Sequence, residues 1–309
     1  MKVLVSGATG FLGYHIVKRC VAKNHEVMCF RRRASVSLFD EAIEKRIVWV
    51  ETDTSQGLED VRRFSPDVFI HAAWNGVSAE GRNNLEIQQA NIEMTDLMMR
   101  LYPYKQIIML GSQDEYGQIN SVVNEDQSLF PVSEYAKAKI SCSQHLQTYC
   151  ESNNIEWQWI RIFSVYGEKQ RPQWLIPSTI RKCIDGDLEM ETTLGEQVYS
   201  YLYAWDFACA IESVIGQKGK SGIYNISSSV PVSIKELQES IKQLTGSKLQ
   251  YVRTMPYRPN QSMVIMGDAS RFVKTFGAFE HTTLRQGLEK VIETIRNESV
   301  KSHRKEMGQ

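Results

Sequence analysis

The chain has 309 residues, of which 42% are apolar and 23% are charged. This is the composition of an ordinary globular protein, and a chain of this length buries a large core without disulfide or metal staples. Its 36 basic and 36 acidic side chains give a net charge of zero. A chain without net positive charge has no overall electrostatic attraction for a polyanion, so nucleic acid is not an expected partner.

The sequence lacks the patterns of a membrane or secreted protein. No apolar run approaches the roughly 18–20 residues that span a bilayer, and the N-terminus leads straight into a strand-like segment without the features of a signal peptide. The six cysteines form no Cys-x-x-Cys pair, and most lie in apolar patterns, which predicts buried free thiols in a reducing compartment. They are Cys20, Cys29, Cys142, Cys150, Cys183 and Cys209. We therefore expect a cytoplasmic protein without a membrane contact or a metal site.

The first half of the chain alternates short apolar runs with helical patterns. The runs are continuous, as in strands of a parallel sheet that are buried on both faces. They are Val3–Val5, Val27–Phe30, Ile47–Val50, Val68–Ile70 and Ile107–Leu110. Helices are predicted near residues 12–23, 83–101 and 134–152. This order predicts an α/β fold, a Rossmann-type doubly wound parallel sheet with right-handed crossovers.

The second half is irregular and predicts a smaller substrate-binding region. Strand-like segments recur at Tyr199–Tyr203 and Ile223–Ile226, and helices are predicted near residues 233–245 and 282–296. We predict a dinucleotide-binding domain over residues 1–166, which also receives segments near 198–222. The predicted substrate-binding domain comprises residues 167–197 and 223–298. Residues 299–309 are predicted to be a flexible tail because they are polar.

A glycine-rich turn joins the first predicted strand to the first helix. Gly7, Gly10 and Gly13 have the spacing that gives a tight turn, a close approach of the backbone to a pyrophosphate, and close helix–strand packing. The helix N-terminus adds free N–H groups and a partial positive charge. Cofactor contacts are therefore predicted from Gly7, Thr9, Gly10, Phe11, Leu12 and Gly13. The alternative is a turn that serves packing only.

The end of the second strand indicates which dinucleotide is bound. An NAD site usually has Asp or Glu there, to bind the ribose 2′-hydroxyl. Here the strand runs into three arginines, beginning with Arg31. The guanidinium groups of Arg31 and Arg32 suit a 2′-phosphate, so NADP(H) is favoured and NAD(H) is the alternative. A solvated charge run would also explain them. Asp53 and Thr54, which follow the third strand, are candidates to contact the edge of the adenine ring.

Ser112, Tyr135 and Lys139 form a candidate catalytic set. Ser112 follows the fifth strand, and open α/β sheets bind ligands at the carboxyl ends of their strands. Tyr135 and Lys139 are four residues apart at the start of a helix and share one face. A nearby ammonium group lowers the pKa of a phenol, which then exchanges a proton near neutral pH.

With these motifs, the chain resembles the extended short-chain dehydrogenase/reductase family of nucleotide-sugar epimerases, dehydratases and reductases, over essentially its whole length. Further matching segments are His71–Ala73, Tyr116–Gly117, Val165–Gly167, Tyr203–Asp206, Tyr224–Ile226 and Arg258. The resemblance implies that Tyr135 is the acid/base, that Lys139 holds the ribose and tunes Tyr135, and that Ser112 binds the reacting oxygen. It also implies a nucleotide-diphosphate sugar as substrate, hydride transfer at a sugar carbon, commonly C4, and a homodimer. Cofactor contacts from Ala72, Ala73 and Ile162 belong to the same expectation.

One departure from the family pattern narrows the expected reaction. The 4,6-dehydratases of this family place an Asp-Glu pair directly after their Ser or Thr, for elimination of water. In this chain Gln113 and Asp114 follow Ser112. The acid that protonates the leaving hydroxyl is therefore missing, which disfavours a dehydratase.

Two further departures concern the nucleotide pocket. Ser164 stands where many members have an Asn that binds the diphosphate, and Tyr199 stands where many have an Arg. Both changes disfavour the usual uridine-diphosphate pocket, and Arg258, Trp174 and Tyr199 are candidates to rebuild it around another nucleotide. The predicted substrate-binding residues are Asn75, Gln113, Ser164, Trp174, Tyr199 and Arg258.

Several polar and aromatic residues near these motifs have two interpretations. His71 is expected to be structural, and Trp74 either packs in the core or faces the nicotinamide or the substrate. Asp114 and Glu115 are interpreted as a solvated pair at a strand end, with a proton relay as the alternative. Apolar side chains on the helices near 83–101 and 134–152 are expected either to pack against the sheet or to pack across a dimer axis.

These observations support one leading function and two alternatives. The leading hypothesis is an NADPH-dependent reductase of a 4-keto-6-deoxy nucleotide sugar, which makes an activated deoxysugar for surface glycans. The first alternative is an NAD-dependent nucleotide-sugar 4-epimerase. The second is a non-catalytic dinucleotide sensor, against which the intact Ser112, Tyr135 and Lys139 argue.

Overall fold

The first half of the chain supplies most strands of the central sheet and the helices that flank it. The computed structural model describes residues 1–51, 54–118, 120–258 and 261–307. The strands up to residue 166 are β1 Lys2–Ser6, β2 Glu26–Arg31, β3 Ile47–Glu51, β4 Val68–His71, β5 Gln106–Leu110, β6 Asn120–Val123, β7 Glu156–Ile162 and β8 Val165–Tyr166. The helices are α1 Phe11–Ala22, α2 Glu41–Glu44, α3 Ser55–Phe64, α4 Leu85–Arg100 and α5 Glu134–Asn153, with a 3₁₀ turn at Gln113–Tyr116.

The second half adds shorter strands and five more helices within the described residues. The strands are β9 Glu189–Glu191, β10 Val198–Ser200, β11 Leu202–Tyr203, β12 Gly222–Ile226, β13 Pro231–Ser233, β14 Gln250–Val252 and β15 Val264–Gly267. The helices are α6 Leu175–Asp185, α7 Ala204–Val214, α8 Ile234–Thr245, α9 Ser270–Phe276 and α10 Leu284–Met307.

The central sheet has seven strands in the order β12-β7-β5-β4-β1-β2-β3, and all neighbours are parallel. Its inner strands are buried on both faces, in agreement with their continuous apolar sequences. The chain order reverses between β1 and β4, and ligands of open α/β sheets bind at such a point, outside the carboxyl ends of the strands. The doubly wound sheet predicted from the sequence is confirmed.

Two apolar layers fix the sheet, one on each face. On one face, side chains of α1 and α7 such as Ile16 and Phe207 pack on the strands, and on the other face Met99 of α4 and Leu146 of α5 do so. All four side chains are almost fully buried. Interiors of this kind are close-packed, so the strand ends that carry the candidate site have a rigid support.

A smaller region lies beyond the carboxyl end of the sheet. It contains a four-stranded sheet in the order β13-β10-β15-β6, in which only the β10–β13 pair is antiparallel among the described residues. A separate core joins α6, α8 and α10 through Ile180, Leu237 and Leu288. Its strand β6 comes from the first half of the chain, so the two regions share segments.

Three expectations about the second half are wrong in detail. Strand β12, assigned from residue 223 to the substrate-binding domain, pairs with β7 as the edge strand of the central sheet. Phe272 and Phe279 also pack into the core of that sheet. Residues 299–307, predicted as part of a flexible tail, continue helix α10. The segment Tyr199–Tyr203 is divided between β10 and β11, which belong to different sheets. The remaining domain boundaries stay a prediction.

All six cysteines are free, and five of them are buried. In the described part of the chain, no helix is both long enough and apolar enough to cross a bilayer.

Candidate active site

The glycine turn has the geometry that a dinucleotide site requires. Gly7 has a φ of +75°, and a Cβ added there would lie 2.6 Å from the carbonyl carbon of Ala72. A Cβ at Gly13 would lie 2.1 Å from the carbonyl oxygen of Gly7, so α1 packs closely on the turn. Gly10 is the N-cap of α1 and has no side chain to satisfy the first helical N–H groups. These groups remain available to a phosphate, and the residues fit a pyridine dinucleotide.

The other predicted cofactor contacts surround this turn. Thr9 lies within the turn, and Phe11 and Leu12 begin α1. Ala72 and Ala73 follow β4, and the Ala73 N–H donates to Ser6 Oγ at 3.4 Å. The remaining predicted contacts belong to other segments of the chain. Ile162 ends β7, Thr54 accepts the Gly57 N–H as the N-cap of α3, and Asp53 lies outside the described residues.

The two arginines at the end of β2 differ in how firmly they are held. Arg31 Nη2 lies 3.8 Å from Glu51 Oε1, and its guanidinium carbon lies 5.5 Å from the ring centroid of Trp49. Arg32 is exposed in the loop that follows. Arg31 is therefore a positioned, partly neutralised cation and not one member of a solvated run.

Ser112 and Tyr135 meet at the carboxyl end of β5. Tyr135 is the second residue of α5, whose N-terminus is capped by the Ser133 hydroxyl. Burial raises the pKa of Tyr135. The Ser112 hydroxyl lies close enough to the Tyr135 hydroxyl to lower the pKa of the phenol, and the charge of Arg82 also lowers it. Only 8% of each residue is exposed, so this pair is largely removed from water.

Lys139 lies one helical turn after Tyr135 and is held by the end of β5. Its Nζ donates to the Leu110 carbonyl oxygen at 2.7 Å and lies 3.5 Å from the ring centroid of Trp74. The distance from Nζ to the Tyr135 ring centroid is longer, 5.8 Å. Burial lowers the pKa of Lys139 to about 8. Within the described part of the chain this ammonium makes one hydrogen bond, so it keeps donors for a ligand.

Trp74 and His71 line the same end of the sheet but differ in their surroundings. The half-buried Trp74 donates from Nε1 to Gln88 Oε1 at 2.9 Å, and its ring meets Tyr135 edge to face. His71 is buried between the hydroxyls of Ser6 and Thr95. Burial lowers the pKa of His71 to about 3, so its ring is neutral at physiological pH. These contacts give His71 a structural position.

Glu115 is the strongest correction to the sequence interpretation, because it is fully buried and not solvated. Its carboxylate accepts the backbone N–H of Ser112 at 2.8 Å, the Trp159 indole N–H at 3.0 Å and the Arg161 Nε–H at 2.8 Å. A carboxylate is stable in such a place only when it is paired and fully hydrogen-bonded. The sequence signal that we missed is Arg161, a charge within the apolar strand β7.

The same arginine extends this network into the second half of the chain. Arg161 Nη1 donates to the Tyr116 hydroxyl at 3.0 Å, and that hydroxyl donates to Asn225 Oδ1 at 2.7 Å. All of these groups are buried. The network therefore joins the turn after Ser112 to β7 and β12, and holds that turn in one arrangement.

Asp114 is partnered by a residue that the sequence analysis did not single out. It forms an ion pair with Arg82, which lies in the loop between β4 and α4. The guanidinium carbon of Arg82 lies 4.7 Å from the ring centroid of Tyr135. The Arg82 carbonyl oxygen accepts the Tyr135 backbone N–H at 2.8 Å. Asp114 is thus neither fully solvated nor a free proton relay.

The predicted substrate residues are only partly brought together. Gln113 Oε1, beside Ser112, is buried and has no hydrogen-bond partner within the described part of the chain. The charge of Arg258 contributes to a lowered pKa of Arg82, an effect caused first by burial, so these two cations are neighbours. The Tyr199 hydroxyl accepts from Gln261 Nε2 at 3.2 Å.

The other three predicted substrate residues have less definite positions. Asn75 is exposed, and its backbone is held by the side chain of Asn91. Ser164 is partly buried and bonds to Leu202 through its carbonyl oxygen. Trp174 is the exposed N-cap residue of α6.

Comparison with known proteins decides the family. The sequence model of the NAD dependent epimerase/dehydratase family matches residues 3–227. The chain belongs to this family. The prediction of an extended short-chain dehydrogenase/reductase enzyme is thereby confirmed, while the individual roles of the site residues stay predictions.

Relatives within the NAD dependent epimerase/dehydratase family differ in the reaction that their names state. An uncharacterized UDP-glucose epimerase of Bacillus subtilis, YtcB, is 25% identical over 310 residues, which cover 93% of this chain and 96% of the relative. The dTDP-4-dehydro-6-deoxyglucose reductase of Escherichia coli is 24% identical over 310 residues, which cover 95% of this chain and 97% of the relative.

A solved structure has the same fold. The UDP-glucose 4-epimerase of Thermus thermophilus, solved as a complex with NAD, superimposes with a TM-score of 0.82 at 21% identity. The match covers 96% of this chain and 99% of that chain. This likeness confirms the fold class.

Proposed function

We propose that this protein is an NADPH-dependent reductase of a 4-keto-6-deoxy nucleotide sugar. The observation that carries the proposal is the cation at the end of β2, where Arg31 is held by Glu51 and Trp49. A guanidinium group there favours a cofactor with a 2′-phosphate. Within this family, an epimerase retains its NAD between turnovers, whereas a reductase consumes and replaces NADPH. The reductase named among the relatives supports the same reaction class.

The proposed chemistry uses the Ser112–Tyr135 pair. The residues of the glycine turn and Lys139 would hold NADPH, and the cofactor, when bound, would supply a hydride to the carbonyl carbon of the sugar. The Tyr135 hydroxyl donates its proton to the carbonyl oxygen, which becomes the new alcohol, and the Ser112 hydroxyl holds that oxygen. Lys139 binds the cofactor ribose with the donors that Leu110 leaves unused. Burial of the pair keeps water away from the oxygen that develops charge.

Turnover with a defined substrate tests this function. Purified protein is mixed with NADPH and a 4-keto-6-deoxy nucleotide sugar, and NADPH oxidation is followed in a single turnover together with formation of the alcohol. We expect both to occur and to be equal in amount. NADPH that stays reduced with every nucleotide form of this substrate would contradict the proposal.

The cofactor preference is tested separately. Arg31→Asp should weaken NADPH binding by on the order of 1.5–3 kcal/mol, because a charge-assisted contact with the 2′-phosphate is lost. NADH binding should change far less. Titration of both cofactors decides the point, with Arg46→Asp, a surface arginine paired with Asn24, as the control. Equal weakening of NADPH and NADH would show that Arg31 does not contact the phosphate.

An NAD-dependent nucleotide-sugar 4-epimerase is the second candidate function. Glu51, which lies 3.8 Å from Arg31, supports it, because a carboxylate near the cofactor ribose suits a 2′-hydroxyl. The relative from Bacillus subtilis is named for this activity. Denaturing the purified protein and identifying the released nucleotide separates the two functions. Tightly held NAD favours the epimerase, and an empty site that takes up NADPH favours the reductase.

The remaining expectations from the sequence are part of the same proposal. We propose a homodimer that pairs α4 and α5 of two subunits, because Leu85 and Leu97 on α4 are each 65% exposed. Light scattering of the purified protein tests this, and a monomer at micromolar concentration would contradict it. The cytoplasmic location, the role in surface glycan synthesis and the substrate contacts remain proposals. The non-catalytic sensor is disfavoured because Ser112, Tyr135 and Lys139 are all present.

A further inference from the structure

The loop between β4 and α4 brings a cation onto the ring of Tyr135. Arg82 lies with its guanidinium carbon 4.7 Å from the ring centroid, closer than Lys139 Nζ at 5.8 Å. Two further contacts fix this position. The Arg82 side chain is paired with Asp114, and its carbonyl oxygen accepts the Tyr135 N–H. The loop is therefore attached both to α5 and to the turn after Ser112.

Four other charged groups face this part of the site, and none of them replaces Arg82. Lys139 Nζ is directed to the Leu110 carbonyl oxygen and the face of Trp74. Glu115 is paired with Arg161, and Asp114 is paired with Arg82. Arg258, on the far side, is a neighbour of Arg82. Arg82 is thus the cation that lies nearest to the ring among the described residues.

The chemistry of the two cations also differs. Burial lowers the pKa of Lys139 to about 8, so its charge falls away above that pH in the cofactor-free protein. A guanidinium group stays protonated throughout the working range. A permanent positive charge at the face of a phenol favours the phenolate.

We propose that Arg82 is a positioning residue for Tyr135, one that keeps a positive charge on its ring independently of Lys139 and is itself held by Asp114. The proposal rests on the proposed function, in which Tyr135 is the proton donor. It predicts that neutralising Arg82 raises the pKa of Tyr135 by about one unit or more. Arg82→Lys restores a cation at this position and should therefore raise the pKa of Tyr135 less than the neutral variant does.

Ionisation of Tyr135 can be measured directly in the cofactor-free protein. Tyrosines are labelled with ¹³C at Cζ, and the signal that disappears in Tyr135→Phe assigns Tyr135. Its pH titration is then compared in wild type, Arg82→Gln and Arg82→Lys. The matched control is Arg285→Gln, an exposed arginine on α10. We expect a raised pKa in Arg82→Gln, an intermediate value in Arg82→Lys and no change in the control.

Two results would overturn the proposal: a Tyr135 pKa in Arg82→Gln equal to that of wild type, or an Arg82→Lys variant that behaves as Arg82→Gln does. If Arg82→Gln does not fold, Arg82→Met provides the neutral variant for the same comparison. A purely structural role of Arg82 would lower stability and turnover without moving the titration. Because no substrate is used, absence of reductase activity would contradict the proposed function and leave this measurement unaffected.

Discussion

Replacing Lys139 by methionine should change how the stability of the cofactor-free protein depends on pH. Only 5% of Lys139 is exposed. Among the described residues, its Nζ has one hydrogen bond, to Leu110, and a contact with the Trp74 ring. Burial lowers its pKa from 10.5 to about 8. The folded protein therefore holds this proton less tightly than the unfolded chain does.

The sign and the size follow from this difference. Below pH 8 both states are protonated, and the charged form destabilises the fold by about 3 kcal/mol, the free-energy equivalent of the lowered pKa. Between pH 8 and 10.5 the unfolded chain binds more protons, so this destabilisation disappears as the pH rises. Methionine fills a similar volume without the charge. Loss of the bond to Leu110 removes about 1–3 kcal/mol, but that loss does not depend on pH.

Urea unfolding of wild type and Lys139→Met between pH 7 and 10.5 measures the effect. The advantage of the variant in free energy of unfolding should fall by about 3 kcal/mol over this range. Thiols and phenols that do not interact with Lys139 are common to both proteins and cancel in the difference, and Cys142, which does interact with it, is replaced by Ala in both proteins. The control is Lys45→Met, at an exposed position, and should give no such trend. A difference between variant and wild type that stays constant with pH would refute the reasoning.

Three further predictions concern the same end of the sheet. Tyr135→Phe should leave NADPH binding nearly intact and lower the rate of single-turnover NADPH oxidation by roughly 10²–10⁴-fold. Ser112→Ala should lower this rate by the same factor or less. The loss in the double variant should be smaller than the two single losses combined, because both hydroxyls act on one oxygen. The protein should form no 4-keto-6-deoxy product from a nucleotide-glucose, because Gln113 is not an acid, and detection of that product would contradict this. Glu115→Ala should lower the free energy of unfolding in urea by about 3–5 kcal/mol, because Arg161 is left charged and buried; a loss below 1 kcal/mol would show that water reaches Arg161.

The central sheet was predictable because its strands are apolar without interruption. Segments such as Ile107–Leu110 have no polar face that an alternative register could use. Helix α7 was not predicted, because it is buried along most of its circumference and its sequence lacks a polar stripe. Helix α3 was not predicted either, because Gly57 in its first turn lowers the helix propensity of the segment. The small region was expected, but most of its strands were not predicted because they are only two to four residues long.

In the candidate site, the residues that lie at a fixed spacing along one helix could be predicted from the sequence. The contacts between residues of two different loops could not. Tyr135 and Lys139 are one helical turn apart, so their shared face follows from the sequence alone. Arg82 and Asp114 are separated by 32 positions and meet only because the loops after β4 and β5 end at the same edge of the sheet. No local sequence pattern predicts such an ion pair.

The two buried charges beneath Ser112 differ in a way that bears on catalysis. Glu115 has its partners within the protein, from Ser112, Trp159 and Arg161, so the turn that carries the Ser112 hydroxyl is fixed before any ligand binds. Lys139 uses one donor on Leu110 and has no carboxylate partner among the described residues. Its charge is satisfied only when further acceptors arrive, and the hydroxyls of a cofactor ribose are such acceptors. Under the proposed role of Lys139, cofactor binding should therefore recover part of the free energy that burial of this residue removes, so the uncompensated ammonium, although unfavourable for folding, would strengthen cofactor binding.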